Sequence, residues 1–222
     1  QEEISTSSNS SQGKRNDIIP ISEDKFLKTI KEGIPGNTLH CFVFNIGQGN
    51  FIVLKFNKNI MIIDCGSQDS TWDVFQEKNN DAINSIFDES SIKAVVVTHP
   101  DADHYNCLKY LLKTRKLDES CVFITGRAGE EDYNFFKKLP KKKHVLYAVE
   151  SCTSYNKASI ASTKALFDQS NNNRTIEILE PAYKIDAKDT NSHSLVLKVT
   201  YDKQSILFTG DATKATFEAI YG

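Results

Sequence analysis

Four side chains able to ligate a metal, His99, Asp101, Asp103 and His104, crowd the six residues that follow Val95-Val96-Val97-Thr98. Imidazoles and carboxylates packed this closely disturb one another's charge states unless a cation holds them. The run from Lys93 to Thr98 reads as a buried strand. Positions just past the C-terminal ends of such strands are where α/β folds place their chemistry. The segment therefore points to a strand end built around a metal centre. Its alternative reading is a polar turn in which His99 and His104 are incidental.

Three more places supply candidate ligands. Asp211 closes an apolar strand in Phe208-Thr209-Gly210-Asp211, and His193 lies in Asn191-Ser192-His193-Ser194 at the start of a hairpin. Asp64, in Ile62-Ile63-Asp64-Cys65-Gly66, also ends a strand and can line the same edge. Each has a plainer role open to it. A strand-terminal Asp often makes an Asx-turn or a helix cap, and a lone His is commonly a surface or core residue. His40 and His144 lack ligand-type neighbours and read as structural.

The pattern around these motifs is a sheet covered by helices. Residues 1–17, nearly without apolar side chains, read as a disordered lead-in. Residues 18–38 read as a helix and linker, with Ser22 as N-cap and Phe26, Leu27 and Ile30 on one side. From residue 39 three β-rich runs, Cys41–Ile46, Phe51–Phe56 and Ile60–Asp64, suggest an antiparallel meander. A helix follows over Trp72–Phe87, expected to be interrupted near Asn79-Asn80, and another over Tyr105–Leu112. Cys121–Thr125, Val145–Val149 and Thr175–Leu179 read as strands. The end is a hairpin, Ser194–Thr200 and Ser205–Thr209, and a helix from Thr213. The expected class is α/β (α+β), with sheets and helices in layers. A dinucleotide loop at Gly47-x-Gly49 is excluded, because Ile52 takes the third glycine position and a strand follows.

Composition narrows the partners. The chain has 222 residues and a net charge of −2, so no global field draws it to nucleic acid or an anionic membrane. No apolar run approaches the roughly 20 residues of a membrane span. Its five cysteines include no C-x-x-C pair, which argues against a disulfide framework and slightly favours the cytoplasm. The chain opens on Gln1 and stops at Gly222 just after a helix-like run, so a trimmed sequence is expected.

Taken together, I-I-D-C-G, T-H-P-D-A-D-H and L-F-T-G-D in this order resemble the metallo-β-lactamase fold superfamily. The H-x-D-x-D-H form, with N-I-G-Q-G-N and N-S-H-S-L-V-L-K-V, is most similar to the hydrolase domain of competence DNA-uptake proteins. The resemblance covers about residues 39–220. It implies a four-layer αββα sandwich with the site at one edge of the sheets. It also implies two divalent metal ions, zinc first. His99, Asp101 and His193 would hold one ion, Asp103 and His104 the other, and Asp211 would bridge them. Asp103 would also be catalytic, orienting the nucleophile. Asp101 stands where the family usually has histidine; its hard oxygen makes manganese or magnesium more competitive. Asn45 and Asn50 replace acids expected in the outer shell. The family's last histidine would fall beyond Gly222, so the 39–222 domain is expected to lack its C-terminal portion.

The implied activity is metal-dependent hydrolysis of a phosphodiester, in a small molecule or a nucleic acid. The basic run Lys137-Lys138-Leu139-Pro140-Lys141-Lys142-Lys143 could contact phosphates, although composition alone favours a solvated helix end and loop. Loops such as Ser151–Asn173 are expected to shape the substrate site. The alternatives are hydrolysis of an amide, thioester or lactone, or an inactive binding module of the same fold. Asn45, Asn50 and the missing histidine favour the module; the intact T-H-P-D-A-D-H and T-G-D motifs oppose it.

Overall fold

Apolar side chains alternate between two faces along four consecutive strands, so that one sheet carries a core on each side. The computed structural model describes residue 28 and residues 37–125, 145–148, 166–167, 174–179 and 189–221. The 1–17 lead-in, the Ser22-capped helix apart from Lys28, the Lys137–Lys143 run, His144, Cys152 and most of Ser151–Asn173 lie outside those residues.

The first sheet has six strands in the order β1 (Leu39–Val43), β2 (Gly49–Phe56), β3 (Asn59–Ser67), β4 (Ser91–Val97), β5 (Leu117–Thr125) and β6 (Val145–Ala148). β1, β2 and β3 form the antiparallel meander; β3 to β6 run parallel. The second sheet is the antiparallel set β7 (Arg174–Leu179), β8 (Val196–Tyr201) and β9 (Gln204–Phe208).

Helix α1 (Trp72–Phe87) joins the parallel pair β3 and β4, and α2 (Ala102–Tyr105) and α3 (Leu108–Thr114) lead from β4 to β5. On one face of the first sheet Phe51, Val53, Ile62, Val95 and Phe123 pack with Phe75, Ile83 and Ile86 of α1 and Leu108 and Leu111 of α3. On the other face Ile52, Leu54, Met61, Ile63, Val96 and Ile124 meet Ile176, Ile178, Leu197 and Val199 of the second sheet. Helices, sheet and sheet thus stack in layers, consistent with the sandwich expected. Burial on both faces also explains why β4 reads as an unbroken Val run.

Two helical expectations are corrected. α1 is continuous through Asn79-Asn80, because Asn79 Nδ2 donates to Phe75 O one turn back at 2.9 Å while Asn80 faces solvent. The Tyr105–Leu112 helix is instead two helices, broken at Asn106-Cys107 by bonds to the end of β3. Asn106 accepts from Ser67 N (3.0 Å) and donates to Ser67 O (2.7 Å), and Cys107 N donates to Cys65 O (3.1 Å). Cys41, Cys65, Cys107 and Cys121 are free thiols. Among the described residues no helix is long and apolar enough to cross a membrane.

Candidate metal centre

The site begins with an irregularity in β3. Phe51 pairs with Cys65 and Ile52 with Ile63, so Asp64 is the extra residue of a bulge, and it takes a left-handed backbone at φ 56°. A bulge re-aims one side chain out of the ladder. Here it turns the fully buried Asp64 carboxylate toward the end of β4. Asp64 Oδ1 accepts from Thr98 N (2.7 Å); Oδ2 accepts from Thr98 Oγ1 (2.8 Å) and lies 2.8 Å from His104 Nδ1.

The four-ligand segment folds over this carboxylate. His99 and His104 are buried, their rings 3.9 Å apart at 53°. Asp211 approaches from the far side of the motif order, its Oδ1 3.4 Å from His104 Nε2. One ligand atom from each of His99, His104 and Asp211 falls within 4.8 Å of the others, an arrangement able to hold a metal ion. The trio does not include Asp101, Asp103 or His193.

Asp101 and Asp103 belong to the same segment as the two histidines, and His193 comes from a separate turn. Asp101 Oδ2 is 3.5 Å from His99 Nε2, with the side chain 40% exposed. Asp103 is buried in α2, whose backbone rests on the ends of β2 and β3; a Cβ on Gly66 would come within 2.5 Å of the Asp103 carbonyl carbon. His193 sits in the 3₁₀ turn Asn191–His193. That turn is fastened to helix α4 (Lys214–Tyr221) by Thr216 Oγ1 donating to Ser192 O at 2.9 Å. The following Leu195 N donates to Thr98 O at 2.9 Å, tying the turn to the end of β4. Asn45 is exposed and accepts from Gly47 N at 3.3 Å, an Asx-turn, and Asn50 pairs with Gly66 on β2.

Burial and charge set the protonation of the pair. His99 is held below the ordinary imidazole range, first by burial and then by His104, against the pull of Asp64, Asp101 and Asp211. Burial also opposes a proton on His104. The Asp64 hydrogen bond and charge, with Asp211 and Asp103, outweigh it and raise His104. The same acids thus act on two tilted imidazoles whose titrations are pushed in opposite directions.

The donor set fits a divalent cation on an independent observation. His99 Nε2 and His193 Nε2 are buried and make no hydrogen bond. Orphaned buried nitrogens are costly, and a cation is a natural partner for them. Sequence reasoning found the acids and histidines but missed Thr98, which contacts Asp64 and lies against both imidazoles. The only signal was its place directly before His99.

Residues 44–221 match the family model described as "Metallo-beta-lactamase superfamily". Among solved structures, the metallo-beta-lactamase fold protein YhfI from Bacillus subtilis is 14% identical, over 80% of this chain and 60% of its own, with a TM-score of 0.40. A diphosphatase from the PhnP family is 15% identical, over 76% of this chain and 55% of its own, with a TM-score of 0.37. The chain therefore spans less than two thirds of either protein. No curated protein matches.

Proposed function

The chain belongs to the metallo-beta-lactamase superfamily, and from that premise we propose that it is a metal-dependent hydrolase acting on a phosphodiester. The observation that carries the proposal is the convergence of His99, His104 and Asp211 within 4.8 Å, with a buried His99 Nε2 that makes no hydrogen bond.

In this reading His99, Asp101 and His193 would hold one divalent ion, Asp103 and His104 a second, and Asp211 would serve both. Zinc is the first choice, and the hard oxygen of Asp101 makes manganese or magnesium more competitive with it. A cation in this cradle supplies activation of water, bringing its pKa from about 16 toward 7 so that a nucleophile exists at neutral pH.

The chain's own residues do the rest. Asp64 accepts the Nδ1 proton of His104 and thereby keeps Nε2 of that ring free to ligate. Asp103 orients the attacking water from its buried place at the start of α2. Asp211 fixes the separation of the two halves of the site.

The phosphodiester reading is supported by the H-x-D-x-D-H form and its similarity to the hydrolase domain of competence proteins. The anionic Asp101 beside His99 favours hard ions suited to phosphoryl oxygens. The test compares bis-p-nitrophenyl phosphate with nitrocefin, after loading with zinc or manganese and counting bound metal. Cleavage of the phosphodiester alone is expected. Cleavage of the lactam alone would overturn the substrate assignment, and protein that binds no metal would be the inactive module.

A further inference from the structure

The polar atoms of Thr98 join the Asp64 motif to the segment after the His193 turn. Its N–H and hydroxyl both donate to Asp64, at 2.7 and 2.8 Å. Its carbonyl accepts from Leu195 N at 2.9 Å, just past the His193 turn. The same hydroxyl oxygen lies 3.2 Å from His99 Nδ1 and 3.4 Å from His104 Nδ1. Gly210 of the T-G-D motif packs on its side chain: a Cβ there would come within 2.7 Å of Thr98 Oγ1.

The proton count follows from these distances. A hydroxyl carries one proton, and a carboxylate only accepts. Thr98 gives its proton to Asp64 Oδ2, so toward His99 the oxygen can act only as an acceptor. A proton on His99 Nδ1 satisfies that acceptor at 3.2 Å, closer than the Asp101 carboxylate lies to Nε2 at 3.5 Å, and it leaves a lone pair on Nε2. That nitrogen is the buried atom without a hydrogen-bond partner. His104, bonded to Asp64 through Nδ1, presents its Nε2 in the same sense, 3.4 Å from Asp211.

We propose that Thr98 is the positioning residue that fixes the His99 tautomer, extending the Asp64 carboxylate to a second histidine through one hydroxyl. The ligand role it gives His99 rests on the metal-centre reading; the tautomer does not. Metal-binding histidines usually have the non-ligating nitrogen held by an outer partner. Here one acid serves two rings, one directly and one by relay.

The experiment uses the full chain labelled with ¹⁵N-histidine, free of metal and at alkaline pH, where both rings are neutral. Imidazole nitrogen shifts report which nitrogen of His99 holds the proton. The wild type and Thr98→Ser are expected to show the Nδ1–H form. Thr98→Val, which keeps the shape and removes the hydroxyl, is expected to populate the Nε2–H form. In calorimetric titration with Zn²⁺, Thr98→Val is expected to bind about 10–100-fold more weakly, and Thr98→Ser near wild type.

Wild-type His99 in the Nε2–H form overturns the proposal, and that result needs no variant to fold. So does a Thr98→Val protein that keeps the Nδ1–H form, or a Thr98→Ser protein that behaves like Thr98→Val. If wild type takes up no Zn²⁺ while the tautomer follows the hydroxyl, the metal reading falls and the positioning role stands.

Discussion

Asp64 Oδ2 lies 2.8 Å from His104 Nδ1 across a separation of 40 residues, with neither side chain more than 2% exposed. This pair joins a bulge in β3 to the helix that follows β4. It fixes which face of the second imidazole looks toward Asp211. Burial has removed water from both, so their remaining neighbours are protein groups, Thr98 for Asp64 and Asp211 for His104.

Asp64→Asn tests that relation with little change in shape. Asn tolerates the left-handed backbone at φ 56°, but its amide nitrogen or its oxygen, not both, can face His104. Either a bond now made to the carboxylate fails, or the two at Oδ2 reverse direction and His104 moves its proton to Nε2. We expect metal affinity to fall about 10–100-fold, read by competition with a chromogenic chelator. Unchanged affinity would remove Asp64 from the site.

Gly210→Ala probes the approach of the T-G-D turn. The glycine sits at φ 52°, and a Cβ there would meet Thr98 Oγ1 at 2.7 Å and Thr98 Cβ at 2.9 Å. Backbone strain and overpacking add, for a loss of about 2 kcal/mol or more in urea denaturation. Because Thr98 touches both imidazoles, metal affinity should fall along with stability.

These residues also mark how far the sequence could be read. β-rich runs bounded by turn residues and the valine run announced β2 to β5, and the crowding of His99, Asp101, Asp103 and His104 announced a site at the end of β4. Local signals carried that much because apolar runs and turn residues act over a few positions. The bulge at Asp64 was not legible: it depends on register against β2, and Ile62-Ile63-Asp64-Cys65 reads as an ordinary strand end. The break at Asn106-Cys107 was missed for the same reason, since its cause is hydrogen bonds to Ser67 and Cys65 on another element. Asn79-Asn80 failed the other way. Weak helix formers were given weight that buried Ile83, Ile86 and Phe87 override.

Asp118 offers a test remote from the metal centre. Burial alone would raise its carboxyl, but the Lys93 ammonium and Ser120 outweigh it and lower it to about 2. The folded value lies below the ordinary aspartate value of 3.8, so the folded state binds this proton less tightly than the unfolded chain. The stabilisation is therefore present above the unfolded value and is lost as pH falls from about 4 toward 2. Asp118→Asn should lower stability near neutral pH by roughly 0.5–1 kcal/mol. The gap from wild type should close across that acid window, as followed by thermal melting. A gap independent of pH would show that the ion pair is not its source.

Metal addition should stabilise the protein, and the variants should separate the two halves of the cradle. An ion that binds only the folded state adds about 2.7 kcal/mol at a concentration 100 times its dissociation constant. For a domain of this size that is a rise of roughly 5–10 °C in melting temperature. His104→Ala and Asp211→Asn remove donors from the trio within 4.8 Å and should abolish most of the rise. His193→Ala removes a buried, unpartnered nitrogen outside that trio. It should lower the bound metal per chain, measured by mass spectrometry of the dialysed protein, while leaving part of the thermal shift. If His193→Ala binds as much metal as wild type, the orphaned Nε2 of His193 is not a ligand, and the first ion is held by His99 and its carboxylate neighbours alone.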